Sequence, residues 1–148
     1  MEYNMGPGRR DRALEHRYET AEKEAKKIAK SLNSEPHPTF DEFETAIRSY
    51  IRIRMLLEPE DELPDSLNVL GQMNLSRALG VSIPELSSID MEAKCGGTSA
   101  VMTKKILLIM ALNRDLDIYL TPEEAAETTK LSMLVERLYR LYERSRNR

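Results

Sequence analysis

The chain contains one cysteine, two histidines, six glycines, two phenylalanines and no tryptophan. A single thiol forms no internal disulfide, and no apolar N-terminal stretch resembles a secretory signal, so a reducing cytoplasmic setting is expected. His16 and His37 are the only imidazoles, and no cluster has metal-ligand spacing. Neither a metal site nor a catalytic centre is therefore expected, and the chain reads as a non-enzyme. Long apolar runs are missing too: the longest, Ile106 to Leu112, is far too short to cross a bilayer, which excludes a membrane partner. The net charge is only −3, from 22 basic and 25 acidic residues, so the broad attraction to phosphate used by general nucleic-acid binders is lacking.

What is present is length and helical patterning. A chain of 148 residues buries roughly 70% of the surface its unfolded form exposes, enough for a core without a staple. Gly6, Pro7 and Gly8 mark residues 1–10 as a flexible tail. Leu14, Tyr18, Ala21, Ala25, Ile28 and Leu32 then recur at steps of three and four, predicting a helix from about Asp11 to Asn33. Pro36 and Pro38 break it. Thr39 and Glu42 spell a capping box for a second helix that carries Phe40, Phe43, Ile47, Tyr50 and Ile51 and runs to about Leu57. These two helices form an N-terminal pair over residues 11–58.

A third helix is predicted from Ser66 to Leu79, stopped by Gly80; Gly71 inside it either weakens the helix or marks a close approach by another backbone. Val81 to Gly97 is read as a long irregular stretch. Thr98 can cap a fourth helix to about Arg114, and because Ile106 to Leu112 is apolar on every side this helix is expected to be the most buried. Thr121, Pro122 and Glu124 begin a short fifth helix, and Leu131, Leu134, Val135, Leu138, Leu141 and Tyr142 form the stripe of a last one. No strand pattern is found. The expected fold is all-α, with residues 65–145 as a four-helix bundle that packs with the N-terminal pair as one cooperative domain.

From Ser66 onward the order is long helix, long loop, Gly96-Gly97-Thr98-Ser99, central helix, short helix, final helix. That order, with Ile106 to Leu112, Leu116 and Thr121 to Ala125 downstream, resembles the acyl and peptidyl carrier proteins. In that family a serine at the start of the second helix is esterified with 4'-phosphopantetheine, whose thiol carries the acyl group. The resemblance covers about the last 80 residues. It implies an acyl-carrier-like bundle with Ser99 as the attachment site and Gly96, Gly97 and Thr98 as its approach. It also implies a phosphopantetheinyl transferase and a loading or tailoring enzyme as partners, in an assembly-line or biosynthetic pathway.

The physics of such a site stands apart from the family name. A helix start offers free N–H groups and positive dipole character to an incoming phosphate, and glycines leave room for a large partner. The apolar register downstream aligns best with Met102 at the modified position, so Ser99 implies one extra helical turn. Ala100 replaces the usual leucine, and Lys104 with Lys105 place positive charge where fatty-acid carriers are often acidic; these lysines are the expected partner surface.

Other signals compete. Asp65, Ser66 and Leu67 spell the short carrier motif literally, making Ser66 the alternative attachment site, although Asp-Ser before a helix is also an ordinary cap. Lys94 to Ser99 is similar to a short aspartate-kinase motif, which belongs to a much larger α/β domain. Cys95 has no histidine close in sequence to activate it. Arginines at both chain ends read as solvated helix termini more readily than as a nucleic-acid surface. The alternatives to a carrier are an unmodified helical adaptor that acts by protein binding, and a small nucleic-acid-associated regulator.

Overall fold

The computed structural model describes residues 5–85 and 100–147, with side chains from residue 12 onward. All regular elements among them are helices: α1 (Met5–Asn33), α2 (Phe40–Arg54), α3 (Leu67–Leu79), α4 (Ala100–Leu116), α5 (Pro122–Glu127) and α6 (Leu131–Arg146). The fold is all-α, and among the described residues the one extended contact is an isolated antiparallel bridge between Ser66 and Lys130.

Local chemistry accounts for most boundaries. Thr39 Oγ1 accepts from the Glu42 N–H at 3.1 Å and the Glu42 carboxylate accepts from the Thr39 N–H at 2.8 Å, a complete capping box. Thr121 and Glu124 repeat it at the start of α5, with Pro122 in the first turn where its missing N–H costs nothing. Gly80 closes α3 at φ 68°, in the left-handed region that side chains avoid.

The sequence places the start of α1 at about Asp11, within a longer helix that begins at Met5. Pro7 lies in its first turn, where backbone donors have no intrahelical partner to lose, so the helix can begin ahead of the expected start. Helix α2 ends at Arg54, three residues before the expected Leu57. The Leu56 N–H donates to Ile53 O and the Leu57 N–H to Arg52 O, a Schellman closure that puts Leu56 at φ 60° and buries Leu57. Ser82 Oγ accepts from the Glu85 N–H at 3.3 Å and opens a helical turn at residues 83–85, within the stretch expected to be irregular.

One hydrophobic cluster draws from all six helices. α1 lies along α2. Phe40 and Phe43 of α2 meet Tyr139 and Tyr142 of α6, with ring centroids 5.0 to 5.3 Å apart. The Tyr142 hydroxyl donates to Leu32 O at 3.1 Å, and Arg146 lies over the Tyr142 ring while donating to Asn33 O at 2.8 Å. The end of α6 thus closes the end of α1, where orphan carbonyls need donors. Arg114, Asp115 and Tyr50 tie α4 to α2: the Tyr50 hydroxyl donates to the Asp115 carboxylate at 2.6 Å. No helix among the described residues is long and apolar enough to cross a membrane.

Candidate functional site: the start of α4 and its surroundings

Gly96, Gly97, Thr98 and Ser99 lie outside the described residues, as does Cys95. The structure takes up the chain at Ala100, the residue after Ser99, where α4 begins. Two turns of packing hold this end of the helix. Val101 is buried against α3, where a Cβ on Gly71 would lie 3.0 Å from Val101 Cγ1 and 3.2 Å from Val101 O. Of the two readings of the glycine inside α3, a weakened helix or a close backbone approach, the second holds.

The register of α4 sorts its side chains. Val101, Lys105, Leu108 and Leu112 follow steps of four, three and four and face inward. Met102, Ile106 and Met110, one residue further round, remain 43%, 43% and 59% exposed, and Leu107 beside them is 51% exposed. Helix α4, expected to be the most buried, thus buries much of its length but not its whole circumference. The helix has one buried face and one exposed apolar row that begins in its first turn. That turn carries no acidic residue.

Lys104 and Lys105 were expected at a partner surface. Lys105 is corrected: its place between Val101 and Leu108 turns it inward, where its ammonium donates to Ala126 O at 3.3 Å. Burial lowers its pKa from the usual lysine value. Lys104 is half-buried, donates to the Tyr18 hydroxyl at 3.1 Å and lies 4.7 Å from the centre of that ring. Tyr18 in turn donates to Asn74 Oδ1 at 3.3 Å, and Asn74, fully buried, donates through Nδ2 to Met55 O at 2.7 Å. Asn74 thereby satisfies a carbonyl left over at the end of α2. This chain of four residues joins α1, α2, α3 and α4. Sequence reasoning missed it, because Tyr18 and Asn74 look like ordinary helix residues until the fold brings them together.

Ser66 occupies a packed crossing. Its hydroxyl accepts from the Val69 N–H at 3.2 Å as the cap of α3, and the neighbouring Leu67 N–H donates to Thr129 O at 3.0 Å. Asp65 caps a different helix. Its carboxylate accepts from the Ser132 N–H at 2.9 Å and from the Ser132 hydroxyl at 3.2 Å at the start of α6, and these bonds hold its pKa below the usual carboxylate range. The Asp65 side chain thus reaches α6, while the Ser66 hydroxyl serves α3 itself.

The basic C-terminal end is also partly committed inward. Arg137 donates to Glu124 O at 3.0 Å and to Thr128 Oγ1 at 2.7 Å, and Arg146 is held by Asn33. Compared with models of known protein families, with curated proteins and with solved structures, the chain finds no match.

Proposed function

We propose that the chain is a cytoplasmic carrier protein that holds an acyl or aminoacyl group as a thioester on phosphopantetheine at Ser99, and that it catalyses no reaction itself. The observation that carries this reading is the exposed apolar row Met102, Ile106 and Met110, whose first member stands three residues beyond Ser99. A partner enzyme that reaches a group tethered at Ser99 lands on the first turns of α4, and apolar side chains in its path supply affinity without a charge requirement. The absence of acidic side chains in the first turn favours a phosphodiester there, since the helix end itself is electropositive. The sequence order of α3, an intervening segment, α4, short α5 and α6 supports the same reading.

A second reading rests on Met102. It stands exposed at the position where the apolar register would place the modified residue if α4 had no extra turn. On that reading the chain is an adaptor that presents the same face without modification.

The experiment is incubation of the full chain with a broad-specificity phosphopantetheinyl transferase and coenzyme A, followed by intact-mass measurement. The carrier reading expects the gain of one phosphopantetheine, abolished by Ser99→Ala. No gain with any transferase favours the adaptor, and a gain lost in Ser66→Ala instead moves the site to the start of α3.

A further inference from the structure

We propose that the cleft between α1, the end of α2, α3 and α4 is a binding site for a small amphipathic carboxylate, independent of Ser99. Its volume is about 250 Å³, room on the order of ten non-hydrogen atoms at interior packing density. Arg54 lines this cleft, and its Nη1 is fully buried without an acceptor. The guanidinium stays charged, and its charge draws a ligand carboxylate into the cleft. Lys104 is the second cation of the cleft, steadied by its hydrogen bond to Tyr18. The remaining wall, Met55, Leu107 and Leu108, is apolar and suits a hydrocarbon tail.

Charge selects among anions. Glu22 also lines the cleft, but its carboxylate is shared by Lys26 at 3.4 Å and Arg114 at 3.6 Å, and the charge of Arg54 is felt by Asp115, which does not line the cleft. The negative charge of Glu22 still opposes a second one nearby, which favours a singly charged carboxylate over a phosphate dianion.

The test is calorimetric titration of the full chain with sodium octanoate, with octanol, acetate and inorganic phosphate as separate arms. Octanoate is expected to saturate one site and to bind at least about tenfold more tightly than each of the others, because only it offers both charge and tail. Arg54→Gln is expected to weaken it by about tenfold or more. Leu107→Asp should do the same from a half-exposed position where the fold tolerates substitution, by setting a negative charge beside the cleft. Ser99→Ala leaves binding unchanged, which separates this site from the carrier reading. No saturable octanoate binding overturns the proposal. So does octanol or phosphate binding as tightly as octanoate, or an affinity unchanged by both cleft variants.

Discussion

Gly71→Ala tests how firmly the start of α4 is held. Two terms oppose each other. Alanine in place of glycine inside a helix favours the folded state by about 1 kcal/mol. Against this, the new methyl would stand 3.0 Å from Val101 Cγ1 and 3.2 Å from Val101 O, both inside ordinary contact distance. Neither atom moves easily: Val101 is a branched side chain restricted in a helix, and the carbonyl belongs to α4 itself. Overpacking of this kind costs about 1 to 3 kcal/mol. The middle of that range exceeds the propensity gain, so a net loss of about 1 kcal/mol is expected, a fall in Tm of roughly 3 °C for a chain of this size. Thermal and urea denaturation followed by far-UV circular dichroism would measure it. In a Val101→Ala background the nearer contact is gone, and Gly71→Ala should there become neutral or stabilising. If Gly71→Ala raised the stability of the parent by the full propensity term, α3 and α4 would be free to part at this point and the reasoning would be refuted.

Three further predictions follow from the packing. Tyr50→Phe removes a 2.6 Å hydrogen bond to the Asp115 carboxylate and should cost about 1.5 to 3 kcal/mol at neutral pH. Burial acts to raise the Asp115 pKa, but hydrogen bonds from Arg114 and Tyr50 outweigh it and the pKa lies below the ordinary 3.8. Its stabilising effect is therefore present above about pH 4 and lost as pH falls through the folded pKa; the difference between parent and Tyr50→Phe should shrink in acid urea titrations, and a difference constant to pH 2 would count against this coupling. Lys105→Met replaces a buried ammonium that has one neutral acceptor, so stability should stay within about 1 kcal/mol of the parent or rise, and a Tm lower by more than a few degrees would show that the lysine is a required tie between α4 and α5. Removing residues 1–58 takes away Leu32, Phe43 and Ile47 from the shared core; the remainder should lose most of its cooperative melting, and a fragment that melts at the parental temperature would show that α1 and α2 are an appended unit.

Much of the fold was legible because its signals are local. Thr39 with Glu42, Thr121 with Glu124, Ser66 and Gly80 each mark a helix end through chemistry within four residues, and the structure contains these caps where the sequence puts them. Gly71 allowed a close approach as one of two readings, and the missing side chain is what the contact with Val101 uses. Ser82, Pro84 and Glu85 carry an equally local signal for the helical turn at residues 83–85, inside the stretch expected to be irregular. Other features have no local signature. An all-apolar run such as Ile106 to Leu112 says that a helix is hydrophobic but not which side lacks a neighbour, so the exposure of Ile106, Leu107 and Met110 depended on the tertiary arrangement. Lys105 could have been placed inward by extending the register of Val101, Leu108 and Leu112 across it, but residue type pointed outward. The Tyr18, Asn74 and Lys104 chain joins residues up to 86 positions apart, and nothing in the neighbourhood of any one of them specifies the others.

The central claim is that Ser99 carries the working group, and the most direct measurement is the intact and peptide mass of the full chain recovered from its own source cells. The account predicts one phosphopantetheine, localised by fragmentation to the peptide that contains Ser99. A chain recovered only in unmodified form while other carriers from the same cells bear the group, or one modified at Ser66, would contradict it.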